Sequence, residues 1–497
     1  MPKFVFLATD VVLLLLIAAI AFYIWHVRRT PQLAATWRPV FRDPGAMASL
    51  TVLSAFLLMA AVDSIHFRPL LAAAPGAAAD AAPAYSTKTL SALDLALGRA
   101  MDAKEKTYSP PLAIRSFDKE SVLVEGKPER VYPRLTYGGA HLADEAERGA
   151  DLAARSAAGL GAGALVCALL WLGVAAARAR RNGLTVMRSA VQVARGESEI
   201  PWRAVVITAS LILLFAGWAI AVWPHYHVFG TDKTGNDVLY QALKSVRTAI
   251  VIGTLATLAT LPFAIVFGIT AGFFRGWIDD VIQYLYTTLS AIPSVLLIAA
   301  AVLMIQVFID KNPQMYETGL ERADVRLFLL AIIIGVTGWA TLARLLRAET
   351  LKISQLDYVQ AAHAFGVSNA NIMRRHVFPN VMHIVLIMAV LDFSGIVLYE
   401  AVLSYVGVGV DPTTNSFGSM INAGRGELSR NPVVWWNLAT AFVFMIAMVL
   451  AANLFAGAVR EAFDPRARAF RIRRAKPVVP AQEDGITPTA AAPLAAR

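Results

Sequence analysis

The sequence predicts an all-α polytopic membrane protein with about nine transmembrane helices, and three observations predict it. Hydrophobic residues make up 57% of the chain and charged residues only 16%, with a mean hydropathy of +0.56, more than a soluble core of 497 residues requires. Apolar runs long enough to cross a bilayer, about 20 residues each, recur along the chain. Arginines gather in alternate connections between those runs, the pattern that topology imposes on a membrane protein. The formal charge of +10 is therefore a feature of membrane flanks. It forms no stripe interleaved with aromatics, so nucleic acid is not an expected partner, whereas membrane lipid is.

The expected spans run from Phe4 to Trp25, Met47 to Ile65, Leu160 to Ala177, Ala204 to Trp223, Ala249 to Phe274, Val281 to Ile309, Leu327 to Leu345, Ile384 to Leu403 and Leu438 to Val459. The sixth exceeds one straight crossing and contains Pro293, which predicts a tilt or a break. A cleaved signal peptide is the competing reading of the first run. Only Lys3 precedes that run and His26, Arg28 and Arg29 follow it, so a retained anchor is expected. Cys167, the single cysteine, lies within an apolar run and reads as a packed, inert thiol.

Orientation follows from the basic residues, which stay on the cytoplasmic side in short loops. With the N-terminus outside and the C-terminus inside, the inner connections contain Arg28, Arg29, Arg38 and Arg42, then Arg178, Arg180, Arg181, Arg188, Arg195 and Arg203, and later Arg344, Arg347, Lys352, Arg374 and Arg375. The chain divides into two N-terminal spans (1–65), an extracytoplasmic segment (66–157), a third span with a basic linker (158–200), a core (201–465) and a tail (466–497). Ala72 to Ala84 is rich in Ala and Pro and reads as a tether. Beyond it, Leu90 to Ala103 has helical spacing and Ser121 to Val124 suits a short strand, which predicts a small cap, with a disordered loop as the alternative. The tail is basic to Lys476 and then rich in Pro and Ala, so it is expected to be disordered.

Catalytic motifs are not found. Gly230 and Gly235 have P-loop glycine spacing, but Asn236 and Asp237 stand where Lys and Ser/Thr are required, and an acid there repels phosphate. ATP hydrolysis by this chain is therefore not expected, nor any cofactor or metal. His225 and His227 flank Tyr226 just after Trp223, a setting that favours interfacial anchoring over metal ligation. His26, His66, His141 and His383 show no partner pattern.

The connection between the seventh and eighth spans is too polar to cross a bilayer and too periodic to be only a linker. It reads as two short helices. Tyr358, Ala361, Ala362 and Phe365 give the first a small and aromatic face, and Gly366 suits a C-terminal cap with positive φ. Ser368 is placed to N-cap the second, which runs to Arg374, Arg375 and His376 before Pro379 limits it. Two such helices fit a groove on another protein. A surface turn without a partner is the alternative that this geometry leaves open.

Here the sequence resembles the permeases of ABC importers, whose cytoplasmic EAA loop has a Glu-Ala-Ala triplet, a glycine and a later proline. The matching residues are Gln360, Ala361, Ala362, Gly366 and Pro379, with Gln360 standing for the glutamate. Glutamine keeps the helix propensity and removes a charge. Further segments resemble the C-type subunit of dipeptide and oligopeptide importers. They are GTDKTGNDVL at 230–239, with Asn236 where arginine is usual, GWATLARLLRAETL at 338–351, and YEAVLSYVGVGVDP at 399–412. Asn415, Ser416, Phe417, Gly418 and Met420 follow, with Phe417 in place of tryptophan. The resemblance covers 201–465 and implies a six-helix permease core. It also implies a B-type permease partner, two ABC ATPase subunits that use ATP and dock on the 356–379 loop, and an extracytoplasmic solute-binding protein. Peptide is the solute it implies, and the bacterial inner membrane the location.

Asp392 and Glu400 are the carboxylates expected within the spans. A buried carboxylate there costs about 3 kcal/mol and faces protein or water. They lie eight residues apart, about 80° around a helix, and read either as lining of the solute path or as structural bonds. Arg344 and Arg347 are expected to snorkel to the inner surface. An ion-coupled secondary transporter with Asp392 as its titrating group is the rival class. It leaves the two-helix loop unexplained, and no inverted repeat of broken helices supports it.

Overall fold

The computed structural model describes residues 2–71, 85–124 and 127–463. The expected tether and tail lie outside the described residues. The chain opens with β1 (Lys3–Val5) and three helices, α1 (Ala8–Arg29), α2 (Pro31–Arg42) and α3 (Pro44–Asp63). A segment between the third helix and the next span follows with β2 (His66–Arg68), β3 (Leu90–Ser91), α4 (Ala92–Ala96), α5 (Gly98–Asp102), β4 (Glu120–Val124) and β5 (Lys127–Val131). Next come α6 (Arg148–Asn182), α7 (Val186–Arg195) and α8 (Trp202–Val222). The core continues with α9 (Val238–Phe274), α10 (Gly276–Ala291), α11 (Ser294–Lys311), α12 (Gly319–Gly338), α13 (Ala340–Ile353), α14 (Asp357–Ala364) and α15 (Asn369–Ile372). It ends with α16 (Phe378–Val406), α17 (Phe417–Arg425) and α18 (Trp436–Phe463).

Among the described residues, nine helical segments are long and apolar enough to span a membrane, counting α12 with α13 and α15 with α16 as continuous runs. Each corresponds to one expected span. The first run begins differently, because its opening residues form β1, antiparallel to β2 with Phe4 opposite Phe67. The sixth run breaks at Ile292–Pro293 into α10 and α11. Proline removes an amide donor and clashes with the preceding turn.

α9 is the hub, packing on α3, α10, α12, α13, α16 and α18. One core cluster joins Val246, Ile250 and Leu255 of α9 to Leu13 of α1, Phe56 of α3, Leu330 of α12 and Met448 of α18. A second joins Ile269 to Tyr286, Leu346, Ile372 and Val381. Between membrane helices such clusters stabilise through van der Waals packing, since lipid is as apolar as the core. At the α9–α13 contact a Cβ on Gly272 would lie 2.6 Å from the Arg347 carbonyl oxygen. Only glycine lets the two backbones approach this closely.

The connections gather at two ends. At one, Arg68 meets Glu317 at 3.0 Å, Glu105 N–H donates to the Gly235 carbonyl at 3.0 Å, and Arg430 reaches Asp118 at 2.9 Å. These bonds unite the described residues of the 64–147 segment with the loops after α8, α11 and α17, so they form a folded cap on one end of the bundle. At the other end lie α2, α7, the α9–α10 junction and the 354–377 loop. Arg42 bonds Glu199 there at 3.1 Å, and Arg275 bonds Ser354 at 3.1 Å.

Candidate functional site

The 354–377 loop is built on an apolar underside. Val359, Ile372 and Val377 are buried and belong to the cluster that includes Leu342 and Leu346 of α13, with Ala362 packed against it. Periodicity decides what remains outward. Tyr358, Gln360, Ala361, Gly366, Arg375 and Pro379 are exposed, His376 is half-buried, and Phe365 is 87% exposed. Leu356, Tyr358 and Val367 are exposed beside it, so Phe365 is part of an accessible apolar patch, the kind of surface that marks an interaction site.

Local bonds make the loop rigid. Gly366 takes φ +75°, a left-handed conformation that costs glycine nothing, and its N–H donates to the His363 carbonyl at 3.0 Å. Ser368 holds the N-cap position of α15, but its side chain makes no capping bond. Asn380 Nδ2 donates to Tyr358 Oη at 3.0 Å, and the His376 ring lies 5.9 Å from the Tyr358 ring. Tyr358 thereby ties α14 to the start of α16.

Pro379 does not end the second helix. The chain passes from α15 through a π-turn at Met373–Val377 into α16, with Pro379 in its first turn. The π-turn closes with the Phe378 N–H donating to the Met373 carbonyl, and Pro379 follows it in the opening turn of α16, where its fixed φ suits the helix.

Behind the loop, Arg347 does not snorkel. Its Nε and a terminal nitrogen donate to the two Asp279 carboxylate oxygens, each at 2.6 Å, joining α13 to α10. Arg344 stacks over the Tyr286 ring at 4.9 Å and donates to Ser290 Oγ at 3.2 Å. Fork-shaped pairing of this kind holds helices in fixed register, so α10 follows any movement of α13.

The two span carboxylates do not share a site. Glu400 is 1% exposed and accepts from Ser404 Oγ at 2.6 Å, where Gly418 of α17 closes against Ser404 and Ala401. Asp392 is half-buried on α16 and has no hydrogen-bond or ion-pair partner among the described residues.

The cap end has a cluster that sequence reasoning missed. Arg247 of α9 donates to Asp10 at 2.6 Å, Thr9 at 2.7 Å and Ser64 at 3.0 Å, and Asp324 lies 3.6 Å away. One turn earlier, Lys244 contacts Asp63 at 2.6 Å and Asp94 at 3.1 Å. His66 meets Asp10 at 2.7 Å. Asp10, Asp63 and Asp94 belong to α1, α3 and the cap, so the N-terminal additions neutralise cations of the core. Their one sequence signal is the presence of carboxylates inside or beside apolar runs.

His227 is not an interfacial anchor. It is 4% exposed, with Nδ1 2.8 Å from Asp237 and Nε2 3.5 Å from Glu105. Burial works against its charge, but the two carboxylates outweigh burial and raise its pKa to about 9. Burial likewise opposes ionisation of Glu105, yet His227 and the amides of Thr136, Tyr137 and Gly138 hold its pKa down at about 2. Asp237 also caps α9 through the Tyr240 N–H at 3.0 Å. The Gly230–Gly235 turn is a socket for the cap, since a Cβ on Gly235 would lie 1.8 Å from the Glu105 carbonyl oxygen. His141 lies 2.8 Å from Asp151 and its ring 4.6 Å from that of His225, and His383 lies 2.8 Å from the Asn380 carbonyl.

The core of the chain is similar to known proteins. Residues 264–469 match the family described as binding-protein-dependent transport system inner membrane components. The oligopeptide transport system permease protein OppC of Haemophilus influenzae is 27% identical over 243 residues, 49% of this chain and 71% of its own. OppC of Mycobacterium bovis is 29% identical over 245 residues, 49% of this chain and 78% of its own. The dipeptide transport system permease protein DppC of Lactococcus lactis is 28% identical over 241 residues, 48% of this chain and 64% of its own. The match favours a permease over an ion-coupled carrier. Residues 264–469 of this multi-pass chain thus match the binding-protein-dependent transport system inner membrane components, and its core resembles the membrane-spanning permeases of ABC importers.

Proposed function

We propose that the permease carries peptides or similar small solutes inward, and that the 356–379 loop is where ATP-driven work enters it. The chain has its N-terminus outside and its C-terminus inside, so the loop is cytoplasmic and the cap faces outward. A B-type permease completes the pore, and an extracytoplasmic solute-binding protein delivers solute. Two ABC ATPases bind and hydrolyse ATP, which leaves this chain without a cofactor or a catalytic residue of its own.

The observation that carries the reading is the exposed loop surface of Tyr358, Gln360, Ala361, Phe365, Gly366 and Arg375, mounted on a buried apolar base. Phe365 supplies an apolar knob, Arg375 a charge, and Gln360 a neutral contact. His376 and Pro379 set the rigid passage into α16. ATPase closure shifts the balance between inward-open and outward-open states by binding them unequally. The α13–α10 arginine pair carries the displacement into the bundle. Neither Asp392 nor Glu400 has to titrate in this mechanism, and of the two only Asp392 is open enough to approach solute.

The test is uptake in vesicles containing the full transporter. Phe365→Asp should abolish ATP-dependent uptake and weaken ATPase retention by about thirtyfold, a hot-spot loss near 2 kcal/mol, while the chain stays folded. Unchanged uptake and retention would remove the loop from the coupling path.

A further inference from the structure

α7 serves neither the cap nor the 354–377 loop, and its side chains divide into three sectors when placed at about 100° per residue. Ser189 and Val193 are buried on the side that packs on α6 and α8. Beside them Val186, Met187 and Val191 form an apolar sector, 45%, 76% and 40% exposed. Arg188, Gln192 and Arg195 make up the third sector, with both arginines exposed. The helix is pinned between two membrane spans by the short links 183–185 and 196–201. It therefore lies where α6 and α8 leave the bilayer.

We propose that α7 is an interfacial helix that binds an anionic lipid surface. Its apolar sector enters the acyl chains, and Arg188 and Arg195 reach the lipid phosphates above it. A helix with one apolar sector and one basic sector gains from both contacts when it lies in the headgroup plane. Charge complementarity identifies lipid as the occupant. Arg178, Arg180, Arg181 and Arg203 flank the same surface, while Glu199 is occupied by Arg42 at 3.1 Å and Glu197 is the remaining nearby acid. Continuity of the apolar sector with two lipid-length spans points the same way.

The test uses the full chain in nanodiscs, with Cys167→Ala as background and an environment-sensitive label on Met187→Cys or, as reference, Gln192→Cys. Lipids brominated in the acyl chain should quench the label at 187 strongly and that at 192 weakly. Equal quenching at the two sites would overturn the proposal. So would a label at 187 that leaves water only when ATPase subunits are added, because the apolar sector would then belong to a protein partner. Preference for phosphatidylglycerol over phosphatidylcholine, read from lipids retained in native mass spectrometry, should fall about fivefold for each of Arg188→Gln and Arg195→Gln. An unchanged preference in the double variant would refute the anionic contact.

Discussion

The cap end and the loop end of this permease are built on opposite plans. At the cap end, charged side chains are buried and paired: Arg247 with Asp10 and Asp324, Lys244 with Asp63 and Asp94, His227 with Asp237 and Glu105. At the loop end, Phe365, Gln360 and Arg375 are exposed on a base of Val359, Ile372 and Val377. A buried charge pair is costly to break and adds little when exposed. The charges buried at the cap end are thus paired within the chain, whereas the loop end leaves Phe365 and Arg375 accessible.

Substitutions should separate the two ends by what they disturb. The largest loss of stability is expected from Arg247→Met, which removes the cation shared by Asp10 and Asp324 and should cost about 3–5 kcal/mol, read as a lower unfolding temperature in detergent. Adding Asp10→Asn should restore part of it. No loss in the single variant would show that the N-terminal helices are not held by this network.

Gly235→Ala should cost less, about 1–3 kcal/mol, because the turn has φ +78° and the Glu105 carbonyl leaves no room for a methyl group. Faster hydrogen exchange confined to 105–138 would be its signature, and unaltered exchange there would argue against the socket.

Changing pH should act on the same latch. The His227 contribution is complete below its unfolded pKa near 6.5 and disappears as pH rises through about 9. That of Glu105 is complete above about 4.5 and disappears as pH falls through about 2. Cap protection should therefore be greatest between about pH 4.5 and 6.5 and weaken on either side. His227→Gln should remove the alkaline limb, and a persisting limb would assign it elsewhere.

The smallest effect on stability is expected at the loop. Phe365→Ala and Gln360→Glu should each change unfolding by less than about 0.5 kcal/mol, as surface substitutions do, although Phe365→Ala lowers uptake. A large loss of stability from Phe365→Ala would mean that the knob packs inward and would erase the contrast between the ends.

The span count was legible in the length of the apolar runs, and the two-helix loop in its polar, periodic sequence between two of them. Its buried base of Val359, Ile372 and Val377 was not, because those residues come from separate turns that only packing brings together. The left-handed Gly366 was legible too, since the requirement is local. Pro379 misled because proline both stops a helix and suits its first turn, and the turn at 373–377 that joins the helices depends on packing. Arg347 misled because its partner Asp279 is distant in the chain. His227 misled for the same reason, with Glu105 supplied by the cap.

By itself, the sequence determined that this chain crosses a membrane repeatedly and where its long apolar runs fall. Those features follow from transfer of each segment out of water and from helical spacing, both local quantities. Tertiary structure alone decided which carboxylate neutralises which cation and that the N-terminal helices and cap are fastened to the core. Electrostatic pairing depends on distance and burial, and neither can be read from residues hundreds of positions apart.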